Sequence, residues 1–518
     1  MKYFFAALLA SGLLAGCVSA PIRTASTAPV SPTPAAPAHV VPPLAARIQA
    51  FIAQPRFAHA DWGISVVSLD SGKTLYAHDA DKLFAPASNA KLYTAALALS
   101  NLGDVRFGTT LYATAAAGAD GTLAGNLILY GGGDPSLGDA QTSPDWADQL
   151  AVALANQGVH RVHGDLIADA TYFKGPPFGS GWEAGDLQTW YAAAPSALSV
   201  QENVTRVRVT RASGRCCAVA IEPGNTGLRV INLTRDEGSD LDTLDLYRPP
   251  SSDSVYASGS LPAGVQARTF PVSVNDPALF AGNLLRDALA KHGIALDGQV
   301  RSLYWPYADT ELVHQAGLQV IGQVPSPPLS DLIRHMLKDS DNLYAQMLLL
   351  QIGAHAAYSG TCVDRAEPPT TSEDWGLCAV RAMLARIGIP NGSAMFVEGS
   401  GLSRKDLVTP AATTDLLAWA ARQPFSSSFE DALPIAGVDG TLEHRFLGTP
   451  AANNLRAKTG TLTHVYALSG YVTDAAGEHL AFSLMLDHYQ RPTDSLGRNI
   501  PPSPDADLDA IAAMLAER

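Results

Sequence analysis

Ser88-Asn89-Ala90-Lys91-Leu92-Tyr93-Thr94-Ala95-Ala96-Leu97-Ala98-Leu99 sets a hydroxyl and an ammonium at the head of a strong helix former. Lys91 follows Ser88 by three residues, so on a helix the two side chains share a face. The mostly apolar run from Leu92 to Leu99 favours helix and is closed by Asn101 and Gly103, with Pro86 just before the first turn. Ser88 is therefore expected at a helix N-terminus, where free backbone N–H groups and the dipole favour developing negative charge. A serine hydroxyl is a poor nucleophile until a base takes its proton. Lys91 can be that base only when neutral, and partial burial beside another cation would lower its pKa; Lys458 is the candidate cation.

Two further strings stand downstream, Ser340-Asp341-Asn342 and Lys458-Thr459-Gly460. Each is weak alone, but together and in order they make the S-x-x-K, S-D-N and K-T-G set of serine acyl enzymes. Ser340 can relay a proton to a leaving amine, and Asn342 can hold a peptide group. Lys458 and Thr459 suit a terminal carboxylate, and Gly460 lets a substrate backbone approach closely. Backbone N–H groups of Ser88 and Thr461 are the expected oxyanion hole. A second S-x-N copy, Ser273-Val274-Asn275, reads instead as part of a buried strand. Ser340 is preferred because the helix-like run Leu343 to Ile352 follows it and can hold the loop rigidly.

Working outward, Trp62 to Leu69 alternates like a strand, Asp70-Ser71-Gly72 turns, and Lys73 to Ala77 returns. Val465 to Val472 and Leu480 to Leu486 flank the turn Asp474-Ala475-Ala476-Gly477, while Leu44 to Ile52 and Leu508 to Leu515 carry helix patterns. Terminal helices on an antiparallel sheet built from both chain ends make an α+β fold. Its cleft is expected between the nucleophile helix and the K-T-G strand.

The chain resembles the class C low-molecular-mass penicillin-binding proteins, the D-alanyl-D-alanine carboxypeptidase/endopeptidase family. Beyond the three motifs, Tyr130 to Leu137 resembles that family's Gly-Gly-Asp-Pro segment, and Gly399 to Arg404 its Gly-Ser-Gly-Leu-Ser-Arg segment. Leu433 to Leu442 resembles the stretch before its K-T-G strand. The likeness runs from about Leu44 onward; Glu398 stands where the family usually has aspartate. It implies a transpeptidase-like domain of the penicillin-binding-protein/β-lactamase kind, with an antiparallel sheet flanked by helices and a helical subdomain. Asp169 matches a family segment lining the pocket for the diamino-acid side chain of the stem peptide, and Arg404 an arginine in that pocket. An acid for an ammonium and an arginine for a carboxylate suit an end like that of meso-diaminopimelate.

About 250 residues separate Lys91 from Ser340, room for one or two inserted domains. Hairpins are expected at Thr109 to Thr114 and Leu123 to Tyr130, a helix at Trp146 to Asn156, and a strand from Val162 to Asp169. A β-rich part follows at Val204 to Thr210, Ala218 to Ile221 and Leu228 to Leu233, then a helix, Ala278 to His292, leading back to the catalytic domain. The expected division is 1–17 signal and lipobox, 18–43 linker, 44–107 catalytic, 108–314 inserted β-rich domains, and 315–518 catalytic.

Met1-Lys2-Tyr3 and the apolar stretch Phe4 to Leu14 read as a secretion signal, too short for the usual membrane span. Leu14-Ala15-Gly16-Cys17 resembles a bacterial lipobox, so Cys17 is expected to be lipid-modified, and the Pro-, Ala-, Ser- and Thr-rich stretch Val18 to Pro43 to be a tether. Val18 does not resemble the aspartate that retains many lipoproteins in the inner membrane. The expectation is a periplasmic enzyme on the outer membrane of a Gram-negative bacterium, touching the membrane only through that anchor. Cys362 and Cys378 flank a loop that a disulfide would suit in an oxidising compartment. Adjacent Cys216 and Cys217 seldom bond to each other; they are read as reduced, or paired with the other two in a pattern the sequence leaves open.

The 518 residues, 47% hydrophobic, can bury a large core, and a net charge of −14 argues against nucleic acid or anionic lipid as partners. No H-E-x-x-H or paired Cys-x-x-Cys pattern appears, so no metal or other cofactor is expected. His335, His444, His464 and His488 read as polar core or surface residues, since Lys91 supplies the base. The expected activity is a serine-type D-alanyl-D-alanine carboxypeptidase and/or D,D-endopeptidase acting on peptidoglycan stem peptides and cross-links through an acyl-enzyme on Ser88, inhibited by β-lactams. The alternatives are a serine β-lactamase, against which the insertion and the absence of a clear glutamate motif speak, and a non-catalytic murein-binding scaffold.

Overall fold

The computed structural model describes residues 43–212, 215–236, 241–306, 312–359, 368–495 and 497–518. Cys17 and Cys362 lie outside these residues, as do the proposed signal and the tether up to residue 42. The account that follows concerns the compact unit Leu44–Arg518.

The central sheet is antiparallel throughout, in the order Arg456–Leu462, Val465–Thr473, His479–Asp487, Asp61–Ser68, Thr74–His78. It is stitched from both chain ends, as the alternating segments predict. Period-two alternation sorts its side chains. Leu480, Phe482, Leu484 and Leu486 turn to one face, where the terminal helices Leu44–Ile52 and Pro504–Ala516 bury Ile48, Leu508, Ile511 and Leu515. Ala481, Met485, Ala467 and Tyr471 turn to the other, against the nucleophile helix Ala90–Asn101 and the helices Leu329–Lys338, Asn342–Ser359 and Pro410–Ala420. Each fully buried leucine in these layers contributes roughly 1.5–3 kcal/mol. On the helical face a row of small hydroxyls crosses the sheet: Ser469 donates to Ser483 at 2.9 Å, and Ser65 meets Thr414 at 2.8 Å.

The insertion holds two β-containing parts. The first is a mixed sheet in the order Val300–Leu303, Leu166–Asp169, Leu127–Gly131, Gly108–Ala113, Gln319–Pro325. The helices Trp146–Asn156 and Pro277–Lys291 pack on it through Leu150, Leu154, Phe280 and Leu285. The second is a small β unit with Val207, Val209, Val255, Val272 and the bonded pair Cys216–Cys217 in its core.

Three expectations need correction. Gln319–Pro325 pairs antiparallel with Gly108–Ala113, so the insertion ends near Pro325 rather than at 314. The helix Pro277–Lys291 does not lead back to the catalytic domain; its apolar face packs on the inserted mixed sheet. Cys216 and Cys217 are joined to each other, and Cys378 is also disulfide-bonded.

Candidate active site

The nucleophile sits in a tight 3-10 turn, Ala87–Asn89, that runs directly into the helix Ala90–Asn101. Ala87 is held at φ +46°, in the left-handed region that residues with a side chain seldom occupy. Such strain, on the order of 1–3 kcal/mol, persists only where the surroundings over-determine it. Two glycines close those surroundings. Gly401 has φ +80°, and a Cβ there would run into the Ala87 carbonyl. A Cβ on Gly460 would stand 2.7 Å from the Pro86 carbonyl oxygen and 2.9 Å from Asn89 Nδ2. The glycine of K-T-G therefore lets its strand lie against the nucleophile turn.

Lys91 is fully buried, while Ser88 is only partly so. Lys91 Nζ donates to Ser88 Oγ at 2.9 Å, to Asn342 Oδ1 at 2.6 Å and to the Ser400 carbonyl at 2.7 Å, which uses all three ammonium protons. Burial pushes Lys91 down to about 8, against the opposing pull of the Glu398 and Asp341 carboxylates. Desolvation, not the neighbouring cation expected from the sequence, is thus the main cause.

Ser340 occupies a left-handed position, φ +61°, between the helix Leu329–Lys338 and the helix Asn342–Ser359. Asp341 Oδ1 accepts the Tyr344 N–H at 2.8 Å and so caps the second helix. Asn342 Nδ2 donates to the Tyr191 carbonyl at 2.9 Å, tying the inserted segment Trp190–Ala192 to the cleft. Lys458 is fully buried; its Nζ donates to Ser340 Oγ at 2.8 Å and to the Thr459 carbonyl at 2.9 Å. It is held well below the usual lysine range, first by burial and then by the positive charges of Lys91 and Arg445. Lys458 therefore meets Ser340 rather than the open cleft. Thr459 is buried and donates to Thr441 Oγ1 at 2.8 Å, and Thr461 is exposed at the open end of the strand. The five catalytic candidates Ser88, Lys91, Ser340, Asn342 and Lys458 form two hydrogen-bonded pairs and a bridge.

Ser273, the competing S-x-N serine, accepts from the buried Arg248 at 2.7 Å at the end of Ala267–Ser273. It is a structural hydroxyl of the small β unit.

Sequence reasoning missed the role of Glu398. It is buried and accepts from the Ser400 N–H and Oγ, each at 2.7 Å, and from the Gly401 N–H at 2.5 Å. Thr94 donates to the Gly399 carbonyl at 2.7 Å, and the Gly399 N–H to Gln346 at 2.8 Å. The loop that offers its Ser400 carbonyl to Lys91 is thereby fixed at every residue. Burial, and then the Glu398 charge, push the Asp406 carboxyl well above the carboxylate range. The aspartate-to-glutamate departure noted in the sequence was the available signal.

Asp169, expected beside the diamino-acid pocket, ends the strand Leu166–Asp169. It is fully buried, and its Oδ1 accepts from the N–H and Oγ1 of Thr171 in its own turn. The acid beside the exposed Arg404 is Glu183, at 3.2 Å, and Arg404 also donates to the Thr463 carbonyl at 3.1 Å. The alternation of Leu166 to Asp169 places Asp169 at the inner end of a buried strand; Glu183 lies in a non-repetitive segment that gave no periodic signal.

A model of the D-Ala-D-Ala carboxypeptidase 3 (S13) family matches residues 44–501. The chain is 36% identical to a D-alanyl-D-alanine carboxypeptidase of Actinomadura sp. (strain R39), over 91% of this chain and 84% of that protein. It is 27% identical to the D-alanyl-D-alanine carboxypeptidase DacB of Haemophilus influenzae, over 82% and 85%. The crystal structure of penicillin binding protein 4 (dacB) from Haemophilus influenzae superposes with a TM-score of 0.75 at 26% identity, covering 89% of this chain and 97% of that one. The same protein complexed with a novel β-lactam gives 0.69 at 25% identity, covering 88% and 95%.

Proposed function

The chain belongs to the D-Ala-D-Ala carboxypeptidase 3 (S13) family, and we propose that it performs that hydrolysis with Ser88 as nucleophile and Lys91 as base. The observation that carries this is the pair of buried lysines, one bonded to each motif serine: Lys91 to Ser88 and Lys458 to Ser340.

The arrangement dictates the steps. The Ser88 hydroxyl gives its proton to neutral Lys91 as its Oγ attacks the carbonyl of the penultimate D-alanine. Charge on the carbonyl oxygen falls to the Ser88 and Thr461 N–H groups. The bond to the leaving residue breaks, and its amine takes a proton through the Ser340 hydroxyl, which Lys458 resupplies. Water then cleaves the ester, returning Ser88. The same site can cut a cross-link, where the leaving amine belongs to a diamino acid. A β-lactam presents a strained amide to the same serine. The β-lactamase alternative needs a carboxylate free to activate water against the ester. Of the two carboxylates acting on Lys91, Glu398 is occupied by loop N–H groups, and Asp341 caps a helix through Oδ1 with its Oδ2 facing His335.

The exposed Glu183–Arg404 pair supports recognition of a zwitterionic side-chain end, with Glu183 in the part the sequence assigned to Asp169. Arg404→Ala is expected to lower kcat/KM on a meso-diaminopimelate stem peptide at least about tenfold, roughly 1.4 kcal/mol. Penicillin acylation, which offers no such side chain, should hold its rate. Equal loss on both substrates would instead make Arg404 a structural residue.

The lipobox-like string ending at Cys17 supports a lipid-anchored periplasmic enzyme on the outer membrane. No helix among the described residues is long and apolar enough to cross a membrane. Cys17→Ser should move the protein from the outer-membrane fraction to the soluble fraction in a Gram-negative host; unchanged fractionation would contradict the anchor.

A further inference from the structure

At the S-D-N loop three side chains from three segments converge. Glu202 stands in the turn Gln201–Asn203 of the insertion, His335 on the helix Leu329–Lys338, and Asp341 at the cap of the helix Asn342–Ser359. Their donor atoms all lie within 4.8 Å of one another. Glu202 Oε1 is 3.5 Å from His335 Nε2, and Asp341 Oδ2 is 3.9 Å from it.

The histidine is arranged as a ligand. Its Nδ1 lies 3.0 Å from Asp339 Oδ2, an ion-pair contact one helical turn away that orients the ring. Nε2 is buried and makes no hydrogen bond. The imidazole packs on the Tyr344 ring at 4.3 Å, and that ring is pinned by its hydroxyl donating to Asp139 at 2.6 Å. A carboxylate beside one imidazole nitrogen and no hydrogen-bond partner on the other is an outer-sphere arrangement common at metal-binding histidines. Asp341 has committed Oδ1 to the Tyr344 N–H, which leaves Oδ2 for the site. One imidazole faces the carboxylates Glu202, Asp339 and Asp341, so the cluster is short of positive charge. Zinc-like ions bind nitrogen and carboxylate oxygen at about 2.0–2.2 Å, which places tetrahedral donors roughly 3.3–3.6 Å apart. Movements under 1 Å per donor bring these three to that spacing, and the side chains of Glu202 and His335 are each about one-third exposed.

We propose that Glu202, His335 and Asp341 form a binding site for one divalent transition-metal ion of the zinc type, positioned by Asp339. The ion takes no part in the acyl-transfer steps. It clamps the inserted domain to the loop that carries Ser340 and Asn342.

The test is titration of the chelator-treated protein with Co2+, followed by displacement with Zn2+, read by visible absorption and calorimetry. One Co2+ per chain should bind saturably with the intense bands of a four-coordinate nitrogen–oxygen site. Asp339→Asn should weaken binding about 10–100-fold, as loss of an outer-sphere partner does. Glu202→Gln and His335→Gln, which each lose a ligand, should bind at least as weakly. Glu202→Gln removes no packed atoms, and penicillin acylation of Ser88 reports that it is folded. Zn2+ should raise the Tm of the wild type and leave that of Glu202→Gln where it was. Absence of saturable one-ion binding would overturn the proposal, as would binding that all three substitutions leave unchanged. Persistence of a proton on His335 Nε2 at saturating Zn2+, seen by NMR, would do the same, since an imidazolium would then fill the place assigned to the ion.

Discussion

At Lys91, three acceptors hold one ammonium in a fully buried place, and burial brings its pKa to about 8. The base is the neutral form, so acylation should rise with pH as Lys91 loses its proton. The sign follows from the depressed value: below it the ammonium persists and the serine keeps its proton. At pH 7 the rate should be about one-tenth of its high-pH limit, levelling above pH 9. Stopped-flow acylation by a chromogenic β-lactam between pH 6 and 10 checks this; a rate independent of pH over that range would remove Lys91 from the role of base. The sequence made the Ser88–Lys91 pairing legible, because a three-residue helical offset fixes direction. It did not reveal the cause of the shift. That cause is desolvation by segments distant in the chain, among them the loop some 300 residues on whose Ser400 carbonyl accepts from Lys91, while the Glu398 carboxylate pulls the other way.

At the scale of elements, the cleft depends on close contact between the nucleophile turn and the strand Arg456–Leu462. Gly460 meets the Pro86 carbonyl and Asn89, and the strained Ala87 is held from the other side by the Gly401 loop. Gly460→Ala should cost roughly 1–3 kcal/mol of stability, because backbone rather than a flexible side chain stands in the way. It should also slow acylation by at least about tenfold, since Ser88 is carried on that turn. Thermal unfolding together with the acylation rate measures both. An alanine variant as stable and as fast as the wild type would show that the contact does not position the serine. Strands of the central sheet were legible as short, largely apolar runs bounded by turns such as Asp70-Ser71-Gly72 and Asp474 to Gly477, buried on one side by the terminal helices and on the other by the helical layer. The strand Gln319–Pro325 was assigned to the wrong domain because its partner, Gly108–Ala113, lies across the whole insertion and no local pattern records the pairing.

Across the whole molecule, the chain leaves the catalytic domain after the nucleophile helix, builds an α/β part and a small β part, and returns by way of Gln319–Pro325 to the helix that ends at Ser340. That route explains how the insertion touches the chemistry: the Tyr191 carbonyl holds Asn342. It also explains why the diamino-acid pocket was half legible. Arg404 sits in a distinctive string, whereas the acid paired with it, Glu183, lies in an irregular part of the insertion that carries no periodic signal. The compact unit Leu44–Arg518 contains every residue of the proposed mechanism, so it should react without the preceding segment. The most direct measurement is intact-protein mass spectrometry of residues 44–518 after exposure to benzylpenicillin, beside the Ser88→Ala variant. A persistent gain of one drug mass, lost in the variant, is the predicted result. Hydrolysed drug with no lasting adduct, or an adduct that survives in Ser88→Ala, would contradict the account.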